Sequence, residues 1–353
     1  MLLKENFTME HIEEVKGKSR ADRTILERNI YALGLLEALV LSGLPFIFKG
    51  GTCMTILLES PKRLSTDIDI VVSPGTDVDC YIAKASEIFP FKGVKQQIRR
   101  GRDGIEKRHY QFTYDSPAYG GEFYIILDIL FENNNYSKLL NAPITNKFLI
   151  SEEPQTFVTT PSPDCLMGDK LTAFAPHTTG IPLGINKELE IIKQMFDISC
   201  LFDECSDFED VYESYMNTVR AEIAYRGKDM TPEDCLLDTI DAASCIAGRG
   251  LAGNDYPSYL SGIKSLSTHM IFEPFNAELA VKRAAKVMYT AACVLKKTPI
   301  NKNIDPDKYQ KVSIASSRYG KLTKIRRLDP EAFWYIVESI KLIEGDDIVT
   351  WPH

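Results

Sequence analysis

The order of three short segments constrains the fold of this chain most strongly. An apolar stretch, Phe46-Ile47-Phe48, leads into the glycine pair Gly50 and Gly51, and a later strand-like stretch carries Asp67 and Asp69 one residue apart. Side chains two apart on a strand share a face, and two neighbouring carboxylates repel each other unless a cation lies between them. Oxygen ligands of this kind select Mg²⁺ or Mn²⁺. The order therefore predicts a strand, a glycine turn that a phosphate can approach, a short helix, and a strand that holds a metal ion.

A third carboxylate stands within a later apolar run. Residues 123–131 are apolar except for Asp128, which predicts a central strand buried on both faces. An aspartate in that setting is paired, hydrogen-bonded or bound to metal, and a purely structural role is the alternative. Two-metal phosphoryl chemistry needs such a third acid, so we predict Asp67, Asp69 and Asp128 as metal ligands and catalytic residues. His109, in a strand among basic residues, is interpreted as structural.

Composition places the chain among globular proteins. Its 353 residues allow two domains, and its 44% hydrophobic and 25% charged residues are ordinary values. No run of about 18 apolar residues predicts a membrane span, and the N-terminus lacks the apolar region of a secretory signal. The eight cysteines show no Cys-x-x-Cys or zinc spacing, so we expect most to be reduced core thiols. We therefore expect a cytoplasmic protein.

Hydrophobic periodicity and turn signals divide the chain near residue 150. Before it, helical spacing over 7–43 precedes strand signals, including a hairpin with its turn at 101–104. After it, capping signals predict helices over 162–174, 188–202, 231–248, 277–297 and 330–343. We predict an α+β fold, with a mixed sheet and helices in a domain over 1–150 and a mostly helical domain over 151–353.

The net charge of −8 conceals two basic runs. The first contains Lys92, Lys95, Arg99, Arg100, Arg102, Lys107 and Arg108, and the second contains Lys308, Lys311, Arg318, Lys321, Lys324, Arg326 and Arg327. Each run is either a solvated face or a surface that holds a phosphate backbone. The sequence leaves both interpretations open.

Two motifs carry a resemblance to a known family. Gly50-Gly51-Thr52, followed by Arg63-Leu64-Ser65-Thr66-Asp67-Ile68-Asp69, resembles the signature of the AbiEii-type toxins. These are nucleotidyltransferase-fold proteins of the polymerase-beta-like superfamily, from type IV toxin–antitoxin and abortive-infection systems. The segments 169–174 and 193–198 match the family more loosely, and the whole resemblance covers about half of the chain. The family commonly has an arginine shortly before the second of these segments, where this chain has His177-Thr178-Thr179-Gly180.

The resemblance implies a metal-dependent transfer of NMP from an NTP, with a cognate antitoxin as partner. RNA is the leading acceptor, with the tRNA acceptor end as one candidate. It assigns Lys170, on a helix of the 151–353 domain, to nucleotide phosphate, and Asp197 to the catalytic residues of the same cleft. The implied nucleotide-binding residues are Gly50, Gly51, Thr52, Arg63, Ser65 and Lys170.

Each implied role has a plainer alternative. Lys170 could be an ordinary helix lysine, Asp197 could pair with Lys193 at helical spacing, and Thr52 could only cap its helix. Arg63 and Ser65 could be loop residues. Two other functions also stay open: the same transfer to a protein or a small molecule, and a non-catalytic, nucleotide-binding member of the fold.

Overall fold

The chain forms two compact units. The computed structural model describes residues 1–97, 106–227 and 229–351. The first unit comprises Met1–Pro163 with Thr268–Pro274, and the second comprises Asp164–Ser267 with Phe275–His353. The first unit thus extends past residue 150 and includes a short segment from late in the sequence. The predicted turn at 101–104, the end of the strand before it and three arginines of the first basic run, at 99, 100 and 102, lie outside the described residues.

The helices of the first unit begin and end at local signals. They are α1 (Met9–Gly17), α2 (Arg23–Ser42), α3 (Gly50–Leu57) and α4 (Asp79–Ser86). The helical segment predicted over 7–43 therefore contains two helices. Asp22 separates them, because its side chain accepts a hydrogen bond from the Thr24 N–H at 2.8 Å and caps α2. Gly43 ends α2 in the left-handed region, at φ 86°.

The first unit contains a mixed five-stranded sheet, as predicted. Its strands are β1 (Ile47–Lys49), β2 (Ile68–Val72), β3 (Gly93–Gln97), β4 (Lys107–Ser116) and β5 (Gly121–Phe131), in the order β1-β2-β5-β4-β3. The pair β2 and β5 is parallel, and the other pairs are antiparallel. A separate hairpin, which the sequence did not predict, joins β6 (Leu139–Pro143) to β7 (Phe157–Pro161).

Strand β5 occupies the predicted central position, but it is not buried on both faces. Ile125, Leu127 and Ile129 are buried, whereas Ile126 and Asp128 on the other face are partly exposed. The apolar character of 123–131 concealed this alternation, because Ile126 and Leu130 lie on the more open face. Asp128 therefore lies on the accessible side of the sheet.

Helix α2 is fixed against β4 by an aromatic stack and a buried acid. The rings of Tyr31 and Tyr114 stack with their centroids 3.8 Å apart. The carboxylate of Glu27, only 2% exposed, accepts hydrogen bonds from the hydroxyls of Tyr114 and Ser116 and from the Ala118 N–H. A buried carboxylate with three donors is fully satisfied and rigid. These contacts fix the turn of α2 between Glu27 and Tyr31, which also carries the residues that contact the acidic motif.

The second unit is helical. Its helices are α5 (Pro163–Ala173), α6 (Glu188–Glu204), α7 (Phe208–Arg226), α8 (Pro232–Ala247), α9 (Tyr256–Leu266), α10 (Leu279–Leu295) and α11 (Pro330–Glu344). The five predicted helices are all present. Helix α7 was missed, although Asp207 caps it and acids occupy its first turn, both of which are signals of a helix start. Helix α9 was also missed.

His177, in the loop after α5, forms a pH-dependent contact. Its Nδ1 lies 2.8 Å from Asp238 Oδ1 and its Nε2 lies 3.1 Å from Asp255 Oδ2. Burial by itself lowers the pKa of His177, but the hydrogen bond to Asp238 and the charges of both aspartates raise that pKa overall. Protonated His177 therefore stabilises the fold below its ordinary pKa of about 6.5, and this contribution disappears as the pH rises through the raised value. The free energy of unfolding of the unaltered protein, measured with urea, should therefore fall as the pH rises through this range. In a His177→Gln variant we expect this fall to be absent. An unchanged pH profile would contradict the assignment.

Composition predicted reduced cysteines and no membrane span. None of the eight cysteines is in a disulfide, and six of them are buried, which confirms the expectation of reduced core thiols. Within the described ranges, the helices lack the combination of length and apolar character that crossing a bilayer requires.

Candidate active site

A row of polar residues crosses all five strands of the sheet at one level. The strand registers pair Lys49 with Asp69, Asp69 with Asp128, Asp128 with His109, and His109 with Gln97. Residues paired across strands lie on the same face of a sheet. We call these five residues the polar row. Its centre is the carboxylate pair Asp69 and Asp128, on the two parallel strands, with a basic residue on either side.

The glycine turn lies directly against this carboxylate pair. Gly50 has φ 82°, and a Cβ atom at this position would collide with the carboxylate of Asp69. A Cβ atom on Gly51 would lie 2.8 Å from Ser65 Oγ and 2.9 Å from Arg63 Nη2. Position 50 therefore requires glycine for its backbone and for space, whereas a side chain at position 51 would displace the ends of the Ser65 and Arg63 side chains. The predicted association of the glycine pair with the acidic strand is confirmed in the structure.

A Gly50→Ala variant is expected to lose stability and to displace Asp69. The alanine would adopt the left-handed region at a cost of about 1–2 kcal/mol and would also clash with the carboxylate. Gly75 provides a matched control, because it has φ 80° but has no atom near its Cβ position. Urea unfolding should show a larger loss of stability for Gly50→Ala than for Gly75→Ala. Equal losses would mean that Asp69 does not occupy the space beside Gly50.

Asp67 contacts a basic residue of α2. Arg28 Nη2 lies 3.3 Å from Asp67 Oδ1, and the Arg28 guanidinium lies 5.6 Å from the centroid of the Phe123 ring. The adjacent Asn29 donates a hydrogen bond to the backbone oxygen of Ser65 at 2.7 Å. Helix α2 thus holds both the acidic loop and its first carboxylate. The sequence analysis did not identify Arg28 or Asn29, because helical periodicity gives no sign of which distant segment packs against a polar position of a helix.

Three residues predicted to bind nucleotide support the loop in this structure. The Thr52 hydroxyl, fully buried, donates to the backbone oxygen of Asp67 at 2.6 Å. It therefore ties α3 to the acidic motif and does not cap the helix. Arg63, 6% exposed, donates to the Leu64 backbone oxygen at 3.0 Å, and its guanidinium lies with Ser65 beside Gly51. Contact of Thr52, Arg63 and Ser65 with nucleotide stays a prediction.

The carboxylate pair suits a hard divalent cation. Asp69 and Asp128 present oxygen ligands from paired positions, and Mg²⁺ is commonly held by one or two carboxylates together with substrate phosphates. In the part of the chain that the structure describes, His, Cys, Asp and Glu side chains form no group of three that could hold a metal ion. Asp67 forms an ion pair with Arg28. The carboxylate pair fits a metal ion shared with phosphate, and the site with three carboxylates stays a prediction.

The second unit contains a buried ion pair at the two residues that the family resemblance selected. Lys170 Nζ, on α5, lies 2.7 Å from Asp197 Oδ2, on α6, and the two side chains are 5% and 1% exposed. Gln194 Oε1 accepts a further hydrogen bond from Lys170 at 3.2 Å. Lys170 is thus not an ordinary exposed lysine. Lys193 Nζ lies 3.8 Å from Glu190 Oε1.

Ten described members of the two basic runs fall into two groups. Lys92, Arg108, Lys308 and Arg318 each form an ion pair with an aspartate or glutamate, which favours a solvated face. The second group is exposed and forms no ion pair with a described residue; it comprises Lys95, Lys107, Lys311, Lys321, Lys324 and Arg327. The last four of these, on and before the 3₁₀ segment Gly320–Arg327, leave unneutralised positive charge on the second unit. Arg326 is half-buried and donates a hydrogen bond to the Val312 backbone oxygen.

His109 is the member of the polar row that the sequence analysis placed outside the site. Its Nδ1 lies 2.5 Å from Asp128 Oδ1. A signal for this contact was present, because β4 and β5 are joined by a short turn that pairs Ser116 with Gly121. Because successive residues of β4 and β5 pair outward from this turn, His109 lies opposite Asp128. The sequence analysis did not use this turn to set the register.

Comparisons with known proteins identify the family. The family model described as "Nucleotidyl transferase AbiEii toxin, Type IV TA system" matches residues 34–277, more than half of the chain. Among solved structures, JHP933 from Helicobacter pylori is similar, with 14% identity and a TM-score of 0.44 over 77% of this chain and 93% of that one. A second H. pylori structure, described provisionally as a nucleotidyltransferase, has 15% identity and a TM-score of 0.45 over 77% and 96%. No curated protein matches this sequence. The chain belongs to the AbiEii family of nucleotidyl transferase toxins of type IV toxin–antitoxin systems.

Proposed function

We propose that this protein transfers a nucleoside monophosphate from an NTP to a hydroxyl group of RNA. The observation that carries the proposal is the Asp69 and Asp128 pair, placed in register on parallel strands, with Gly50 packed against Asp69. Family membership supports nucleotidyl transfer and implies a cognate antitoxin. The acceptor and the metal ion are the parts that the proposal adds.

The triphosphate would lie at the start of α3. This helix begins at Gly50, and the side chain of its N-cap residue, Lys49, makes no capping hydrogen bond. The first backbone N–H groups of a helix attract anions when they have no partner within the helix. Gly50 and Gly51 place no side chain over these groups, and Lys49 of the polar row adds positive charge next to them. The turn therefore offers donors and positive charge to phosphate oxygens.

The carboxylate pair would hold Mg²⁺ or Mn²⁺ beside that triphosphate. Such an ion neutralises charge on the triphosphate and on the departing pyrophosphate. Asp69 lies against the glycine turn, and therefore on the nucleotide side. Asp128 is one strand further on, and it would orient the acceptor hydroxyl and take its proton. The new bond joins the acceptor oxygen to the α-phosphorus, and the bond from this phosphorus to the pyrophosphate oxygen breaks.

The exposed cations of the second unit support RNA as the acceptor. Lys311, Lys321, Lys324 and Arg327 are exposed and form no ion pair with a described residue. Phosphate backbones are bound largely through such side chains, and the affinity then falls as salt rises. A small-molecule acceptor would not need these cations, so there is no reason for its binding to depend on the salt concentration.

The test is label transfer, followed by identification of the labelled product. The protein is incubated with α-labelled NTPs, Mg²⁺ and total RNA, and the products are digested separately with ribonuclease and with protease. We expect label that ribonuclease releases and protease does not, and none with the Asp67→Ala, Asp69→Ala double variant. Label that only protease releases would replace RNA with a protein acceptor, and label in small products would replace it with a small molecule. Absence of transfer by the unaltered protein would indicate a non-catalytic member of the fold.

A further inference from the structure

We propose that His109 is a positioning residue for Asp128. By binding one carboxylate oxygen, Oδ1, it fixes the side chain so that the other, Oδ2, is presented to the divalent cation. The inference rests on the proposed function, because it assigns a task to the metal-binding carboxylate. It also changes the interpretation of His109, which the sequence had marked as structural.

The geometry of the contact is set by the sheet. His109 and Asp128 are direct partners on the antiparallel strands β4 and β5. The nitrogen nearer to the backbone, Nδ1, reaches Asp128 Oδ1 at 2.5 Å, and the two side chains are 16% and 35% exposed. Within the described residues, this is the hydrogen bond that the imidazole makes. Because the backbone register brings the two groups together, the contact does not depend on a flexible loop.

The chemistry of the two partners fixes the donor. An ionised carboxylate has only acceptor positions, so the hydrogen atom between the two residues belongs to Nδ1. A hydrogen bond to an ionised acceptor is shorter and stronger than one between neutral groups. This hydrogen bond occupies Oδ1 of Asp128. The second oxygen, Oδ2, has no hydrogen-bond partner among the residues that the structure describes.

The neighbouring carboxylate explains why such a restraint is needed. Asp69 is paired with Asp128 on the adjacent strand, and two carboxylates on paired residues repel each other. Without a partner, Asp128 would rotate away from Asp69 and lose the arrangement that lets both bind one ion. A hydrogen bond from His109 opposes this rotation. Hydrogen bonds to metal-binding carboxylates commonly fix the orientation of the ligand in this way.

Asparagine and leucine at position 109 separate positioning from packing. In His109→Asn the side-chain nitrogen occupies the place of Nδ1, so the donor to Asp128 is kept. In His109→Leu the donor is lost and apolar bulk remains. The measurement is the affinity for Mn²⁺, from the electron paramagnetic resonance signal of the free ion, with a non-hydrolysable NTP present. We expect His109→Leu to weaken Mn²⁺ binding by about 10–100-fold and His109→Asn to stay within about threefold of the unaltered protein.

The outcomes separate this inference from the proposed function. The inference is overturned if folded His109→Leu binds Mn²⁺ as well as the unaltered protein does, or if His109→Asn binds as weakly as His109→Leu. Circular dichroism verifies the fold, and His109→Ala takes the place of the leucine variant if that variant is unfolded. If Asp128→Asn loses Mn²⁺ binding while His109→Leu keeps it fully, the inference about His109 is overturned and the proposed function is not. Failure of the unaltered protein to bind Mn²⁺ would overturn both proposals.

Discussion

Asp69→Asn and Asp128→Asn are each expected to lower the rate of nucleotidyl transfer by about 10³-fold or more. A metal ion at a phosphoryl centre stabilises the transition state by several kcal/mol, and about 1.4 kcal/mol corresponds to tenfold in rate. Asparagine has nearly the same shape as aspartate and lacks the charge that holds the cation. The rate of label transfer to RNA at saturating NTP and Mg²⁺ is the measurement.

Glu122→Gln is the matched control for these variants. Glu122 is an exposed acid on β5, the strand that carries Asp128, and its replacement removes the same charge. Transfer by this variant should be unchanged. Urea unfolding should show that Asp69→Asn and Asp128→Asn stay folded, so that their loss of transfer reflects the lost charge. Near-normal transfer by either asparagine variant would remove that carboxylate from the active site.

Lys170→Met is expected to lower the free energy of unfolding by about 3–5 kcal/mol, because it leaves Asp197 charged, buried and without its lysine. The two side chains are 5% and 1% exposed, so water cannot replace the lost partner. Lys282→Met is the control, since Lys282 and Glu331 pair at 2.6 Å but are 41% and 29% exposed. The loss of such an exposed pair costs at most about 1 kcal/mol. Urea unfolding compares the two variants.

The double variant Lys170→Met, Asp197→Leu separates stability from function. Apolar residues of similar volume often replace a buried ion pair without loss of stability, so most of the unfolding free energy should return. The family resemblance assigns Lys170 to phosphate and Asp197 to catalysis, and it therefore predicts that this stable variant stays inactive. A double variant that regains both stability and nucleotidyl transfer would show that the pair is purely structural.

The segment from β1 to β2 could be predicted closely from the sequence. The strand before the glycine pair, the helix after it and the strand that carries Asp69 all occur in the predicted order. Apolar runs bounded by glycine, proline or charged residues carry this information locally. The central position of β5 followed from its nearly continuous apolar run. Its burial did not, because apolar side chains also cover a half-exposed face.

Other features depend on contacts between distant parts of the chain. The parallel pairing that places Asp69 beside Asp128 joins strands separated by a long connection, so no turn sets its register. The return of Thr268–Pro274 to the first unit and the hairpin of β6 and β7 are of the same kind. The placement of Asp69 and Asp128 on strands could thus be predicted, but the pairing that brings these strands together could not.

The central claim is that the carboxylate pair directs attack on the α-phosphorus of an NTP. Parallel reactions with α-labelled and γ-labelled NTP, in the presence of Mg²⁺ and total RNA, test it most directly. The account predicts that label from the α position becomes attached to RNA, that label from the γ position appears only in pyrophosphate, and that Asp69→Asn abolishes both. Transfer of the γ label to the acceptor would mean phosphoryl transfer and would contradict the account.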